Sequence, residues 1–150
     1  MLSPGDPAPD FTAETDGGGS IQLSDLRGRK IVLYFYPRDN TSGCTLEACE
    51  FRDASIGFAA NNAVVLGVSA DSVKSHDRFK AKHNLTFPLI SDAGHEIAKA
   101  YGTWREKILY GRRYMGVVRS TFVIDEQGKI EAVYEKVKPR GHAGALLAKL

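Results

Sequence analysis

The chain has 150 residues, of which 43% are hydrophobic and 25% are charged, and its formal net charge at pH 7 is +2. This balance predicts one ordinary soluble domain over residues 1–150, large enough to bury about two-thirds of its unfolded surface, so it needs no disulfide to fold. No stretch approaches the roughly 20 apolar residues of a membrane span, and the start lacks the basic and apolar regions of a secretory signal, so we expect a cytoplasmic protein with no membrane partner.

The first half of the chain predicts a loop-rich start followed by a βαβ unit. Glycines and prolines mark residues 1–19 as loop and turn leading into "IQLSDL" (21–26). The segments "KIVLYFY" (30–36) and "AVVLGVSA" (63–70) are continuous apolar runs, the pattern of strands that are buried on both faces of a parallel sheet. Between them, the apolar positions from Cys44 to Phe58 suit one amphipathic helix.

Five further segments are predicted downstream. They are a helix over "DSVKSHDRFKAKHN" (71–84), a short strand in "TFPLISD" (86–92), a helix over "AGHEIAKAYG" (93–102), a hairpin in "RSTFVIDEQGKIEAVYE" (119–135) and a terminal helix over "GHAGALLAKL" (141–150). Ser72 suits an N-cap, Gly102 stands where a glycine commonly ends a helix, and Gly128 lies in the hairpin turn.

The order of these elements predicts the fold class. Three alternating strands and helices, followed by an antiparallel hairpin and a last helix, give an α/β fold in which a central mixed sheet is flanked by helices on both faces. This is the order of a thioredoxin-like fold. A flavodoxin-like sheet would need another βα unit in place of the hairpin.

Basic residues are concentrated in the second half of the chain. Residues 1–75 hold 6 basic and 10 acidic side chains, and residues 76–150 hold 14 and 8. The basic side chains are densest in "WREKILYGRRYMGVVR" (104–119), where Glu106 is the single acid. No segment repeats or matches a groove-reading motif, so we expect a solvated basic face and no nucleic-acid partner.

Both cysteines of the chain, Cys44 and Cys49, lie in "PRDNTSGCTLEACEFRD" (37–53). A structural zinc site commonly uses two pairs of ligands a few residues apart, whereas this chain has one cysteine pair and four scattered histidines. An iron–sulfur cluster held by four cysteines is excluded by their number. We therefore expect no metal site, and in a reducing cytoplasm any disulfide between the two cysteines is expected to be transient.

The spacing of the two cysteines limits how they can react with each other. They do not form the CxxC motif of thiol–disulfide exchange proteins. On a regular helix, their spacing places the two Cα atoms roughly 8–9 Å apart, whereas a disulfide needs about 7 Å or less. The pair can therefore join only if the start of the helix unwinds. Cys49 falls at an apolar helix position, which suits simple packing as well as redox chemistry.

Cys44 stands at the predicted start of the helix, after the loop "DNTSG" (39–43). One interpretation is a buried, inert thiol. The other is a thiolate stabilised by free backbone N–H groups and by the helix dipole, which supplies about 1–2 kcal/mol. A reactive thiolate at this position would need a nearby cation as well.

Pro37, Thr41 and Cys44 form the pattern P-x-x-x-T-x-x-C, which resembles the active-site motif of the peroxiredoxins, the thiol peroxidases. The resemblance covers nearly the whole chain and is strongest for the bacterioferritin comigratory protein, or PrxQ, subfamily. It implies the peroxiredoxin variant of the thioredoxin-like fold. Ser42 departs from the subfamily loop, where proline is frequent. The segments that carry the resemblance are "GDPAPDF", "LSDLRGRKIVLYFYPRDNTSGCTLEACEFRD", "GVSADSVKSHDRF", "FPLISD", "YGTW" and "RSTFVID".

The resemblance implies a role for each of five side chains. Cys44 looks like the peroxidatic cysteine, whose thiolate attacks a peroxide oxygen and becomes a sulfenic acid. Thr41 is similar to the threonine whose hydroxyl bonds the thiolate and the peroxide, and Pro37 to the proline that shields the sulfur from water. Arg119 matches the arginine that supplies the cation and the hydrogen-bond donors. Glu47 would belong to the supporting charge network.

Cys49 occupies the position of the resolving cysteine in those members of the subfamily that carry one nearby. It would attack the Cys44 sulfenic acid to give an intramolecular disulfide, which thioredoxin or a similar dithiol protein would reduce. The implied substrates are hydrogen peroxide and organic hydroperoxides, with no metal, flavin, haem or other cofactor. The resemblance also implies a monomer, and it gives no role to His142 or the other histidines, which we interpret as surface or packing residues.

Two other functions fit the same scaffold. One is a thiol–disulfide exchange protein, which the lack of a CxxC motif disfavours. The other is a redox-responsive interaction or holdase domain, in which oxidation of Cys44 is a signal. The rate of oxidation by peroxide separates both from a peroxidase, since an ordinary free thiol reacts slowly.

Overall fold

Nine strands and five helices make up the part of the chain that the computed structural model describes, residues 2–150. Within these residues, no helix is both long enough and apolar enough to cross a membrane. Two short 3-10 turns lie in the N-terminal part, at Asp16–Gly18 and Leu23–Leu26. The strands are β1 (Thr12–Thr15), β2 (Ser20–Gln22), β3 (Lys30–Phe35), β4 (Ala63–Ser69), β5 (Leu89–Ser91), β6 (Trp104–Leu109), β7 (Arg112–Val117), β8 (Ser120–Ile124) and β9 (Ile130–Tyr134). The helices are α1 (Ser42–Asp53), α2 (Ser55–Ala60), α3 (Val73–His83), α4 (Glu96–Tyr101) and α5 (His142–Leu147).

Seven of the strands form one mixed sheet, in the order β2-β1-β5-β4-β3-β8-β9. Strands β3, β4 and β5 are parallel neighbours, whereas β8 runs antiparallel to β3, and β9 antiparallel to β8. The predicted α/β fold with a central mixed sheet is therefore confirmed. The apolar run of β3 is buried almost throughout because the sheet is covered on both faces.

Each face of the sheet carries its own apolar core. On one face, Tyr34 of β3 packs with Phe51 of α1, with ring centroids 4.6 Å apart, and Tyr36, directly after β3, stacks on Tyr34 in the same core. On the other face, Phe35 packs against Tyr101 of α4. Successive side chains of a strand point to opposite faces, which divides β3 between the two cores. Helix α1, which carries both cysteines, is held to the sheet through the buried ring of Phe51.

The turn and cap residues lie where the sequence predicts them. The Ser72 hydroxyl accepts a hydrogen bond from the backbone N–H of Ser75 over 3.1 Å and so caps α3. Gly102 ends α4 with a left-handed φ of 75°, and Gly128 has a φ of 85° in the turn between β8 and β9. These conformations suit glycine, which has no Cβ.

The predicted single helix between Cys44 and Phe58 is two helices. Ala54 separates α1 from α2 with φ −92° and ψ 3°, outside the helical range. The Ser55 hydroxyl donates to the carbonyl oxygen of Phe51 over 3.4 Å and competes there with the helical hydrogen bonds. The sequence pattern did not reveal this break, because apolar spacing alone continues through it.

Tertiary packing fixes the direction of α2. A Cβ added at Gly57 would stand 2.6 Å from Cδ2 of Leu147, so the Leu147 side chain of α5 lies directly against α2 at this glycine. Phe58 is buried in the same core as Phe51. The second helix is therefore held by its own contacts and does not depend on continuity with α1.

The structure contains two hairpins that the sequence patterns did not predict. Strand β1 lies within the start that was predicted as loop, and it pairs with β2 at the beginning of the segment that follows. Strands β6 and β7 pair within residues 104–119, which were predicted as a solvated basic face. Arg112 and Arg113 are indeed exposed, but so are the apolar side chains of this ribbon, up to 67% at Ile108 and 97% at Tyr110. The ribbon lies outside the main sheet and lacks the alternation of buried and exposed residues that would have indicated strands.

Candidate active site

Cys44 lies in the first turn of α1, after the loop that leaves β3. Thr41 precedes the helix with an extended backbone, φ −83° and ψ 155°, and its hydroxyl donates to the carbonyl oxygen of Arg38 over 3.0 Å. Within residues 2–150, the first N–H groups of α1 therefore have no capping side chain. The positive end of the helix dipole is left at the thiol.

Arg119, between β7 and β8, contacts two groups of α1. Its Nη2 donates to Sγ of Cys44 over 3.2 Å, and its Nη1 donates to Oε1 of Glu47 over 2.6 Å. The thiol and the carboxylate are buried, whereas the Arg119 side chain is 16% exposed. One guanidinium group therefore bridges the thiol and the carboxylate.

For Arg119 and Glu47, burial and the neighbouring charges shift the pKa in opposite directions. Burial alone would lower the pKa of Arg119, but the charges of Glu47 and Cys44 outweigh it and raise that pKa above its usual value. Burial raises the pKa of Glu47 to about 7, although the charge of Arg119 and its hydrogen bond pull it down. Burial also lowers the pKa of Lys107 on β6, and the charge of Arg119 lowers it further. Arg119 is thus the fixed positive charge beside the sulfur, and Glu47 titrates near neutral pH.

Two buried oxygen atoms of the cluster, Oε2 of Glu47 and the hydroxyl of Tyr34, have no hydrogen-bond partner among the described residues. Tyr34 is stacked on Phe51. Burial raises the pKa of its phenol well above the usual value, and the charges of Glu47 and Cys44 raise it further. The cluster rests against the aromatic core, where an ionised carboxylate with one unpaired oxygen is costly.

The thiol, guanidinium and carboxylate of this cluster belong to residues that the sequence singled out, and the structure brings them together. Thr41 and Pro37 flank them in the loop before α1, where both are exposed. The Thr41 hydroxyl is engaged with a backbone carbonyl rather than with the sulfur. Cys49 lies half-buried on α1, and both cysteines are free thiols. The structure therefore holds the two sulfurs on a regular helix, without a bond between them.

Two buried polar residues, His76 and Asp39, were not singled out as a pair from the sequence. His76, interpreted as a surface or packing residue, is fully buried and bonded through both ring nitrogens. One nitrogen faces Asp39 of the loop before α1, and the other faces the carbonyl oxygen of Ile90. A signal was available, since His76 and Phe79 are three positions apart and share the buried face of α3.

His142 is the first residue of α5. Its Nε2 is 2.8 Å from the hydroxyl of Thr121, and its ring packs edge-on against Phe51 and Tyr134. Burial lowers the pKa of His142 to about 4, and the charge of Arg119 adds to the effect. It is therefore a neutral, half-buried packing residue, in agreement with the interpretation from the sequence.

Comparison with known proteins identifies the family. The model of the AhpC/TSA family matches residues 4–133. Among curated relatives, peroxiredoxin Bcp of Bacillus subtilis is 47% identical over 146 residues, which are 97% of this chain and 93% of the relative. A putative peroxiredoxin of Coxiella burnetii is 48% identical over 146 residues, 97% of each chain.

Solved structures agree with this assignment. PrxQ of Xylella fastidiosa superimposes with a TM-score of 0.94 at 40% identity, over 99% of this chain and 95% of the other. The bacterioferritin comigratory protein of Xanthomonas campestris, studied for its alkyl peroxide reduction activity, gives a TM-score of 0.89 at 40% identity, over 93% and 88% of the two chains. The chain therefore belongs to the AhpC/TSA family, and within it to the peroxiredoxins of the bacterioferritin comigratory protein, or PrxQ, subfamily.

Proposed function

We propose that this chain, a peroxidase by its family, reduces hydrogen peroxide and organic hydroperoxides with Cys44 as its peroxidatic cysteine. The observation that carries the proposal is the hydrogen bond from Arg119 to the sulfur, at 3.2 Å, in the first turn of a helix. A guanidinium and a helix N-terminus both favour the thiolate over the thiol. A reactive thiolate at this position needs a nearby cation, and in this proposal Arg119 is that cation.

The chemistry is a displacement at oxygen. The Cys44 thiolate attacks one peroxide oxygen, an S–O bond forms, and the O–O bond breaks. The sulfur is oxidised to a sulfenic acid, and the departing oxygen takes a proton to leave as water or an alcohol. The N–H groups of Arg119 stabilise the charge that develops on the peroxide oxygens. In this proposal Pro37 shields the sulfur from water, and Thr41 bonds the peroxide once its hydroxyl turns away from Arg38.

Cys49 is proposed as the resolving cysteine. Its thiol displaces water from the Cys44 sulfenic acid and forms an intramolecular disulfide, which thioredoxin or a similar dithiol protein reduces. The spacing on α1 separates the two Cα atoms by roughly 8–9 Å, whereas a disulfide needs about 7 Å or less. The first turns of α1 therefore unwind in each cycle. A monomer in the cytoplasm is the setting that we propose for this cycle.

Intact mass after one equivalent of peroxide tests the cycle. Wild type should lose about 2 Da as the disulfide forms, and Cys49→Ser should gain about 16 Da as the sulfenic acid accumulates. Cys44→Ser should keep its mass. Turnover with thioredoxin in Cys44→Ser would contradict the mechanism. Oxidation of Cys44 at the rate of an ordinary free thiol would favour a signalling or disulfide-exchange role.

The role of Arg119 is tested by Arg119→Lys. Lysine keeps the charge but loses the forked geometry that reaches the sulfur and Glu47 together. A lost charge-assisted hydrogen bond is worth about 1.5–3 kcal/mol, so oxidation of Cys44 should slow by about 10- to 100-fold in stopped-flow measurements. Arg113→Lys, on the exposed ribbon, is the matched control and should react at the wild-type rate. Equal rates for the two variants would contradict the role of the fork.

A further inference from the structure

Among the residues described, Asp39 is the loop residue before α1 that forms hydrogen bonds to several other parts of the protein. Its carboxylate is buried, and Oδ1 accepts a hydrogen bond from the hydroxyl of Tyr36 over 2.7 Å. Oδ2 accepts from the hydroxyl of Ser75 over 2.8 Å and lies 2.7 Å from Nδ1 of His76. The backbone N–H of Asp39 donates to Oδ2 of Asp71 over 2.8 Å. One residue of the loop is thereby tied to Tyr36, directly after β3, to α3 and to the segment between β4 and α3.

The hydrogen bonds also indicate where the protons of this network lie. Nε2 of His76 is 2.9 Å from the carbonyl oxygen of Ile90, which can only accept, so this nitrogen carries a proton. Nδ1 faces a carboxylate oxygen of Asp39 that already accepts from a hydroxyl. Burial lowers the pKa of His76, but the bond and the charge of Asp39, together with the charge of Asp71, outweigh it and raise that pKa. Asp39 and His76 therefore form a buried, hydrogen-bonded pair, with 2.7 Å between Nδ1 and Oδ2.

The network does not resemble a metal site. Asp39, Asp71 and His76 could offer ligand atoms within 4.8 Å of one another. However, the carboxylate oxygens accept hydrogen bonds from hydroxyl and backbone groups, and Nε2 of His76 faces a carbonyl oxygen. These atoms are already used in holding the loop, and the chemistry of the network is that of an anchor.

The loop residues that follow Asp39 are exposed, whereas Asp39 itself is buried. Asn40 has a left-handed φ of 61°, and residues 40–42 are exposed. The Thr41 hydroxyl bonds only within this turn, to Arg38. The fixed part of the loop therefore ends at Asp39, and the part that leads into the cysteine-bearing helix begins with a residue in a sparsely populated backbone conformation.

We propose that Asp39 and His76 are positioning residues, whose buried hydrogen bond anchors the segment that rearranges when Cys44 is resolved and so favours the folded arrangement in which Arg119 meets the sulfur. This inference rests on the proposed function, in which Cys44 reacts with peroxide in the folded arrangement and with Cys49 in the unwound one. The anchor acts through the loop and touches neither the sulfur nor the peroxide. Its loss shifts the balance towards the unwound arrangement, which slows the first reaction and hastens the second.

Two measurements on His76→Asn test the anchor. In a Cys49→Ser background, oxidation of Cys44 by peroxide should slow by about ten-fold, because the reactive arrangement is less populated. With Cys49 present, the sulfenic acid partitions between two fates. The thiol of Cys49 converts it to the disulfide, and a second peroxide oxidises it to the sulfinic acid while being reduced itself. The variant should give less sulfinic acid than wild type at the same excess of peroxide, measured as a smaller fraction of protein heavier by about 32 Da.

Controls separate positioning from general destabilisation. His83→Asn alters another histidine of the same helix, whose ring packs on Phe79, and should leave the rate and the partition as in wild type. Ser75→Ala removes one hydrogen bond to Asp39 and keeps the contact between Asp39 and His76, so it should change both quantities in the same direction by about two- to three-fold. This milder variant carries the test if His76→Asn does not fold.

The possible outcomes are distinct. A slower oxidation with an unchanged partition between disulfide and sulfinic acid would overturn the anchor role and leave a purely structural one. Wild-type values of both quantities in His76→Asn and Ser75→Ala would overturn it as well. Failure of the proposed function would instead appear in the parent Cys49→Ser protein, as a lack of rapid oxidation at Cys44 with the anchor intact.

Discussion

The buried carboxyl of Glu47 makes a prediction about stability that does not involve turnover. Burial raises its pKa from 4.5 to about 7 in the folded protein. Between these two values the folded state keeps a proton that the unfolded state has released. The stabilising contribution of the protonated group is therefore complete at low pH and is lost as the pH rises through 7. At about 1.4 kcal/mol for each pKa unit, the loss between pH 5 and pH 8.5 is about 2.5 kcal/mol.

Urea denaturation of wild type and Glu47→Gln at these two pH values measures the loss. Glutamine has no proton to release, so the free energy of unfolding of the variant, relative to wild type, should be higher at pH 8.5 than at pH 5 by about 2.5 kcal/mol. Glu126→Gln, in the exposed turn between β8 and β9, is the control, and its difference from wild type should stay constant. A constant difference for Glu47→Gln as well would refute the argument that burial dominates this carboxyl.

Two further predictions concern the framework around the site. Gly57→Ala should destabilise the protein by about 1–3 kcal/mol in thermal denaturation, because its Cβ would meet Leu147 at 2.6 Å. Gly144→Ala, where a Cβ meets open space, should instead stabilise it by about 0.5–1 kcal/mol, and effects of the same sign would contradict the packing argument. Ser72→Ala should lower the free energy of unfolding by about 1 kcal/mol, since the N–H of Ser75 loses its acceptor, and an unchanged unfolding midpoint would contradict this contribution of the cap.

The fold was predictable where one physical signal dominated a segment. The run of β3 reads as a strand because both of its faces are buried, and the cap at Ser72 marks the start of α3. The ribbon of β6 and β7 gave no such signal, since its apolar side chains, such as Ile108, are exposed. The break at Ala54 also escaped prediction, because the apolar spacing continues through it.

The site was predictable only in part, for a similar reason. The loop and the helix start around Cys44 are local features, so the residues alone indicated a place for a thiolate. Arg119, which donates a hydrogen bond to Sγ of Cys44, is 75 positions away in the chain, and it was singled out through family resemblance. The pairing of Asp39 with His76, 37 positions apart, depends on how β3 and α3 are placed in the folded chain, which no local pattern encodes.

In the proposed cycle, the break between α1 and α2 at Ala54 limits how far the unwinding of α1 can extend. Phe51 secures the last turns of α1 and Phe58 secures α2, so melting that begins near Cys44 meets two segments that are each packed into the core. Hydrogen exchange in the oxidised protein should thus quicken in the first half of α1 while the amides of α2 keep their protection. The enzyme would then alternate between its dithiol and disulfide forms while most of the structure stays folded. Each turnover of the proposed cycle would require refolding of only a few residues.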